Sequence, residues 1–129
     1  MAMLPEEFYR SKILTCSPRK SVDLPGPRDY NEIRIEKSLF EWRLYYSKKR
    51  YLCCPSEWEA RYLKVWLEGG LNKIEMPSNE ELLKNITLEL EKLSLRILKL
   101  ADEKLAGYRE PIKREVLQGV WQVEGLKSP

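Results

Sequence analysis

The chain has 129 residues, of which 43% are hydrophobic and 33% are charged, a composition with which one domain can bury its own core without disulfides or metals. Its 23 basic and 20 acidic residues leave a net charge of +3, which favours solubility but does not by itself indicate a nucleic-acid partner. Because the chain contains no histidine, Ser-His-Asp and Cys-His catalytic systems and histidine metal ligands are excluded.

The sequence also predicts the compartment. No apolar run approaches the roughly 18 to 20 residues needed to cross a bilayer, and the first ten residues carry acids where a signal peptide would be basic and then apolar. The three cysteines Cys16, Cys53 and Cys54 are not typical of a secreted disulfide framework. We expect a cytoplasmic protein with reduced thiols and no membrane partner, and the excess of Glu over Gln resembles thermophile composition.

Residues 1–31 contain four of the eight prolines and show no sustained hydrophobic period. This pattern predicts an irregular N-terminal arm that packs on the rest of the domain. A short strand around Leu14 is the one regular element expected there.

Residues 32–54 show the alternation that is typical of strands. Ile33 and Ile35 alternate with charged residues, and Phe40, Trp42 and Leu44 alternate with Glu41 and Arg43. The polar residues 47–50 separate two aromatic-rich runs, 42–46 and 51–54, which predicts a β-hairpin. Together these runs predict an antiparallel β-meander of about three strands.

A helix is expected to follow the meander. Ser56 and Glu59 have the spacing of a capping box, in which each side chain bonds the backbone amide of the other residue. Gly69 and Gly70 can end the helix. Residues 71–76 could then return to the sheet as a fourth strand.

The longest predicted element covers residues 78–105. Ser78 and Glu81 repeat the capping box, and no glycine or proline interrupts the segment before Gly107. One apolar stripe contains Leu82, Ile86, Leu90, Leu93, Ile97 and Leu100. A second stripe contains Leu88, Leu95, Leu98 and Leu105. Such a helix would be about 40 Å long, so part of it should extend beyond a compact domain of this size.

A last helix should begin at Pro111 and form a helical hairpin with the long helix. The predicted fold class is therefore α+β: a small antiparallel β-meander of about three to four strands packed by one helix, followed by the long C-terminal helix and the final helix. We expect a single domain with an N-terminal arm (1–31), a β-hairpin, helix and strand unit (32–76) and a helical part (77–126). Residues 125–129 are expected to be frayed.

The sequence offers no catalytic constellation. No glycine-rich phosphate loop is present. Ser17 and Lys20 match an S-x-x-K spacing, but they lie in the proline-containing arm. The acid-x-lysine triplet 102–104, a pattern that metal-dependent nucleases use, lies on the long helix and suits a solvated face. We predict no catalytic, cofactor-binding or metal-binding residues and no cofactor, and we favour a non-enzymatic protein. An enzyme whose carboxylates meet only in the fold remains an alternative.

The preferred functional hypothesis depends on the second apolar stripe of the long helix. If one domain cannot cover both stripes, Leu88, Leu95, Leu98 and Leu105 are available to a second copy of the chain or to another protein. We therefore expect an interaction or assembly protein that is a homo-oligomer, simplest as a dimer, or docks on a protein partner.

The alternative hypothesis is a nucleic-acid-binding or accessory module. In residues 42–51, basic residues alternate with aromatic ones on a predicted hairpin. Arg43, Lys48, Lys49 and Arg50 could contact phosphates, and an exposed ring such as Tyr46 could stack on a base. The opposing interpretation is that residues 47–50 form a solvated turn while alternate rings enter the core.

Overall fold

The structure is a computed structural model that describes residues 3–123. Two small antiparallel sheets and four α-helices form an α+β fold, as the sequence predicts. In chain order the elements are α1 (Pro5–Phe8), which continues as a π-helical turn (Tyr9–Ile13), β1 (Arg19–Asp23), β2 (Arg34–Lys37), β3 (Trp42–Tyr45), β4 (Tyr51–Cys54), α2 (Glu57–Glu68), β5 (Lys73–Pro77), α3 (Glu80–Lys104) and α4 (Glu110–Val120). The residues predicted to fray, 125–129, and the last residues of the 77–126 helical part lie outside the described range.

The predicted meander is confirmed as the antiparallel sheet β2-β3-β4. Leu44 lies opposite Ile35 on one side and Leu52 on the other, so these side chains share a face of the sheet. Leu44 is fully buried and packs in the core. The face that carries Leu44 is therefore the inner face, and the opposite face points outward.

Two features of the strands differ from the sequence prediction. The strand after α2, β5, does not return to the meander but pairs with β1 in a separate two-stranded sheet. Residues 1–31 are accordingly not an irregular arm: they hold α1, the π-helical turn and β1, and Leu14 lies at the end of that turn instead of in a strand. The first nine helical residues are too few to display a clear 3.6-residue period.

Helix α2 begins as the sequence predicts. The Ser56 hydroxyl oxygen accepts a hydrogen bond from the Glu59 amide at 3.2 Å. The Glu59 carboxylate, however, binds the Lys20 ammonium at 2.8 Å, and so links α2 to β1. At the other end, the guanidinium of Arg28 donates to the carbonyls of Leu67 and Leu71, and so ties the segment before β2 to the end of α2 and the residues that follow it.

The core contains a cluster of aromatic rings centred on Trp66 of α2. The Trp66 ring lies edge-on to Tyr9, Tyr62 and Trp121, with centroids 5.7, 6.3 and 5.5 Å away, the arrangement that aromatic pairs prefer. The hydroxyl of Tyr62 donates to the Glu75 carbonyl at 2.6 Å, and that of Tyr9 accepts from the Glu75 amide at 3.0 Å. These two hydroxyls form hydrogen bonds with the Glu75 backbone on the edge of β5 that does not pair with β1.

Helix α3 is continuous over 25 residues and is about 38 Å long. Its N-cap is Asn79, whose side chain accepts from the Leu82 amide at 3.0 Å, and not Ser78 as the predicted capping box implied. The buried side chains are Leu83, Ile86, Thr87, Leu90 and Leu93. Leu82 and Leu100, which the sequence places in the first stripe, are exposed. They lie before Leu83 and after Leu93, the first and last buried residues of α3, and so beyond the part of the helix that the domain covers.

Helix α4 begins at Glu110, with Pro111 in its first turn, and contacts α3 as the predicted hairpin requires. Trp121, directly after α4, is buried against α2. This contact is possible because residue 69 is a glycine. A Cβ atom at that position would lie 2.8 Å from the Trp121 Cβ, closer than non-bonded carbon atoms pack.

Candidate interaction surfaces

The four leucines of the second stripe are all accessible on α3. Leu88, Leu95 and Leu98 are 38%, 67% and 45% exposed, and Leu105, which caps the helix, is half-buried. Together they span about 100° of the helix surface. The most exposed of them lie in the distal half of α3, beyond Leu93, which is the last buried residue of the helix.

A second apolar stripe lies on α4. Ile112, Val116 and Val120 recur every four residues and are 43%, 45% and 37% exposed. None of the eleven α4 residues is buried. The side of the helix that faces the domain, which includes Leu117, lies about 100° around the helix from this stripe. Helix α4 therefore has apolar residues on two sides, of which the domain covers one.

A cleft of about 260 Å³ lies where α2, α3 and α4 meet. Its apolar lining comes from Val65 on α2, Leu98 and Ala101 on α3, and Leu117 and Trp121 on α4 and its end. The stripe on α4 lies next to this cleft, because Val116 is one turn from Lys113 and Val120 is one turn from Leu117, and both Lys113 and Leu117 line the cleft. Leu95 and Leu98 on α3 and the stripe on α4 thus flank one cleft, and we call the cleft with these flanks the α3–α4 surface.

Charged groups of both signs line the cleft. The Glu68 carboxylate lies 2.7 Å from the Lys64 ammonium, and the Glu110 carboxylate lies 3.7 Å from that of Lys113. Asp102 also lines the cleft, and it has no ion-pair partner among residues 3–123. Its carboxylate is therefore available to a cation from outside the domain.

The β2–β3 turn carries a feature that the sequence prediction missed. The Ser38 amide donates to the Glu41 carbonyl at 2.8 Å, which places Leu39 and Phe40 at the tip of a tight turn. Their side chains are 89% and 95% exposed. The alternation of residues 40–44 predicts that Phe40 belongs to a strand, and this is wrong because β3 begins only at Trp42. We call these two residues the Leu39–Phe40 turn.

The outer face of the meander carries arginines stacked on tyrosines. The Arg34 guanidinium lies 4.0 Å from the centroid of the Tyr45 ring, and that of Arg43 lies 4.4 Å from the centroid of Tyr51. Both arginines also pair with acids, Arg43 with Glu41 at 3.3 Å and Arg34 with two flanking glutamates. The Arg43 charge and both rings are thus already engaged within the domain.

Residues 46–50 connect β3 to β4 and are called the β3–β4 turn. They include the residues of the predicted nucleic-acid site other than Arg43. Lys48, Lys49 and Arg50 are exposed and form no ion pair within the described part of the chain. Tyr46 is half-buried and packs against the hydrophobic core. The structure therefore brings the three cations together at one exposed turn but does not present the Tyr46 ring beside them.

The adjacent cysteines of β4 face opposite sides of the sheet, as expected for neighbours in a strand. Cys54 is buried, and this burial raises the pKa of its thiol to about 11. Cys53 is exposed on the outer face, where a hydrogen bond with Glu41 raises the pKa of its thiol. Both thiols are therefore mostly protonated at neutral pH.

Two further observations concern metal binding and membrane spanning. Within residues 3–123 no three cysteine or acidic side chains come close enough together to hold a metal ion. In the same range, no helix has both the length and the apolar character that crossing a bilayer requires.

Comparison with models of protein families, with curated proteins and with solved structures finds no match to this chain. Its function must therefore be inferred from its own residues.

Proposed function

We propose that this protein is an assembly protein that associates with further copies of itself through the α3–α4 surface. The supporting observation is where its exposed apolar side chains lie. Twelve large hydrophobic residues are exposed among residues 3–123, and nine of them belong to α3, α4 or the connection between them. These nine are Leu82, Leu88, Leu95, Leu98, Leu100, Tyr108, Ile112, Val116 and Val120.

Five of the nine, Leu95, Leu98, Ile112, Val116 and Val120, belong to the α3–α4 surface, and this concentration distinguishes it from ordinary protein surface. Single exposed hydrophobic residues are normal, whereas a contiguous group indicates a binding site. Full burial of an exposed aliphatic side chain contributes about 1.5 to 3 kcal/mol. These side chains are already partly covered, so each contributes less, and several together are needed to offset the entropy lost on association. A second copy of the chain carries the same exposed apolar side chains, so the α3–α4 surfaces of two copies can cover one another.

The proposal is tested by sedimentation velocity on the wild type and on Leu98→Glu. Leu98 lines the cleft and is 45% exposed, so a glutamate there should leave the fold intact and weaken association by a factor of ten or more. The matched control is Leu4→Glu. Leu4 is 55% exposed at the start of α1, and its replacement should leave the sedimentation of the protein unchanged.

Two results would reject self-association through this surface. One is a wild-type protein that sediments as a single chain at all concentrations tested. The other is an oligomer that Leu98→Glu and Leu4→Glu affect equally.

We infer a second candidate function, nucleic-acid binding, from the β3–β4 turn. Lys48, Lys49 and Arg50 are exposed and unpaired within residues 3–123, so they could release counterions from a phosphate backbone. The rings of Tyr45 and Tyr51 are covered by arginines, and Tyr46 packs on the core. This arrangement favours contacts to phosphates over stacking on bases, and hence binding with little sequence preference.

The test compares two triple variants that change the net charge equally. Lys48, Lys49 and Arg50 are replaced by Glu in one, and Lys73, Lys92 and Arg96, which are also exposed, are replaced by Glu in the other. Binding of a labelled oligonucleotide should be lost in the first variant and only weakened in the second, and wild-type affinity should fall as salt rises. Equal losses in the two variants would mean that the turn is not a site.

A further inference from the structure

Strand β1 pairs with β5 along one edge and leaves its other edge open. The ladder with β5 ends where the Ser78 amide donates to the Pro18 carbonyl at 3.0 Å. Because the residues whose backbone groups face a partner alternate along an antiparallel strand, Arg19, Ser21 and Asp23 turn their amides and carbonyls away from β5. All three residues are exposed, and their outward backbone groups form the open edge.

The outer edge of β5, in contrast, is closed by side chains. The Tyr62 hydroxyl donates to the Glu75 carbonyl, and the Glu75 amide donates to the Tyr9 hydroxyl. Glu75 lies opposite Ser21, so its backbone groups point away from β1 just as those of Ser21 point away from β5. The free edge of β1 is thus the side on which this sheet can add a strand, since unpaired amides and carbonyls of an edge are a template for pairing.

The features that usually protect an edge strand do not protect this one. Lysines and prolines commonly block edges. The ammonium of Lys20, however, is held by the Glu59 carboxylate of α2 at 2.8 Å, and so is directed toward the domain. Pro18 precedes β1 at a position whose backbone faces β5, so its missing amide hydrogen does not interrupt the open edge. A strand of another chain can therefore reach the whole edge.

The residues of the open edge are complementary to themselves in the antiparallel direction. When two copies of β1 are placed with Ser21 opposite Ser21, Arg19 of each copy lies opposite Asp23 of the other. Every outward-facing residue then meets another one, and each such pair exchanges two hydrogen bonds, about six in all. Shifting the register by two residues would place Arg19 or Asp23 opposite Ser21. The symmetric register is thus the one that pairs opposite charges.

The charged groups of this edge are available for the contact. Asp23 forms no ion pair among residues 3–123. Arg19 uses its Nε toward Glu75 at 3.4 Å and its Nη1 toward two carbonyls before β1, and its Nη2 makes no hydrogen bond in the same range. Lys73 lies opposite Asp23 on β5. The joined sheet would therefore present Lys73, Asp23 and the Arg19 of the second copy in one row, with alternating signs.

We propose that β1 pairs with β1 of a second copy across a twofold axis at Ser21. The two β1–β5 sheets then join into one four-stranded sheet in the order β5-β1-β1-β5. Such a contact is isologous, because both copies use the same residues. It is separate from the α3–α4 surface and does not depend on it. A chain that uses both contacts binds two neighbours, so the two together extend the assembly beyond a dimer.

Two variants at the centre of the edge test this contact, both made in the Leu98→Glu chain, which disables the α3–α4 surface. Ser21→Pro removes the amide that faces the second copy, at an edge position that tolerates proline. It should weaken dimerisation at least tenfold in sedimentation velocity. The matched control, Ser21→Ala, also loses the hydroxyl contact with Glu75 but keeps the amide, and should dimerise like its parent.

Mixing two charge variants tests the register. Asp23→Arg places arginine opposite Arg19 of the other copy, and Arg19→Asp places aspartate opposite Asp23. Each alone should associate at least fivefold more weakly, because like charges then oppose each other twice. An equimolar mixture should form pairs of one chain of each kind. Circular dichroism checks that both variants fold, and the Ser21 variants, which keep the Arg19 contacts, decide the contact by themselves.

The outcomes separate this inference from the proposed function. A Leu98→Glu chain that sediments as a single chain at every concentration overturns the strand contact and leaves the α3–α4 association standing. A Leu98→Glu dimer that Ser21→Pro does not weaken, or that Ser21→Ala weakens equally, overturns it as well. A wild-type dimer that withstands Leu98→Glu and dissociates with Ser21→Pro supports the strand contact and rejects the α3–α4 surface.

Discussion

The two halves of α3 are both rich in leucine but have different surroundings. Leu93, at the end of the proximal half, is 1% exposed, whereas Leu100, two turns further along the same side of the helix, is 47% exposed. Both halves have the leucine content of a core helix. The difference shows that helical periodicity determines which side of a helix is apolar, while the length of the neighbouring elements determines how much of that side is buried.

The neighbours of the proximal half can be named. Arg61 of α2 binds Glu91 through two hydrogen bonds, one of 2.9 Å from its Nε, and Lys12 after α1 lies 3.9 Å from Glu89. The distal half faces a cleft and α4. The proximal half is therefore part of the core of a single chain, and the distal half has apolar surface in excess of what that chain covers.

Truncating one leucine in each half should show the largest contrast. Leu90→Ala removes a fully buried side chain and should lower the free energy of unfolding by about 2 to 5 kcal/mol. Leu95→Ala, five residues further along the same helix, should change it by less than about 0.5 kcal/mol. Urea denaturation of dilute protein measures both values. Similar losses at the two positions would mean that Leu95 is covered within one chain.

Adding a methyl group on each side of the contact between α2 and α4 should give effects of opposite sign. Gly69→Ala forces a Cβ against the Trp121 side chain and should cost about 1 to 3 kcal/mol. Gly119→Ala places its Cβ in open space within α4 and should stabilise the protein by up to about 1 kcal/mol. Thermal denaturation checks both variants, and a stabilising Gly69→Ala would contradict the packing of Trp121.

Neutralising one acid in each half of α3 should give a smaller difference in the free energy of unfolding. Glu91→Gln breaks the half-buried pair with Arg61 and should cost about 1 kcal/mol, because paired hydrogen bonds of this kind are stronger than ordinary surface pairs. Glu103→Gln alters an exposed residue of the distal half and should change stability by less than about 0.5 kcal/mol. Equal stabilities for the two variants by urea denaturation would argue against the tie between α2 and α3.

The smallest expected effect concerns the two adjacent cysteines of β4, of which Cys54 is buried and Cys53 is exposed. At pH 8 a thiol reagent should modify Cys53 and leave Cys54, because burial raises the pKa of Cys54 to about 11. Glu41→Gln should accelerate modification of Cys53, since it weakens the hydrogen bond that raises the pKa of that thiol and so increases the thiolate fraction. Mass spectrometry of the labelled peptides measures both rates, and a fast reaction at Cys54 would contradict its burial.

The parts of the fold with strong local signals could be predicted from the sequence. Alternation identifies β2 to β4, the Ser56 cap identifies α2, and the uninterrupted leucine period identifies α3. The pairing of β1 with β5 could not be predicted, because the partners lie fifty or more residues apart and β1 is polar and mostly exposed. Such a pairing is decided by tertiary packing, which a local pattern does not encode.

The candidate sites, like the fold, could be predicted only in part from the sequence. The four leucines of the second stripe and the cations of the β3–β4 turn could be named from spacing and charge. The Leu39–Phe40 turn could not, because Phe40 continues the alternation of β3 and only the pairing of Lys37 with Trp42 shows that residues 38–41 form the turn. The cleft depends on the relative positions of three helices, for which the sequence has no short signal.

Static light scattering of the wild-type protein over a range of concentrations tests self-association most directly. A single chain has a mass of 15.3 kDa. The α3–α4 surface predicts a weight-average mass that is larger at high concentration and falls toward that of one chain on dilution. A mass of one chain at every concentration, up to the solubility limit, would contradict self-association.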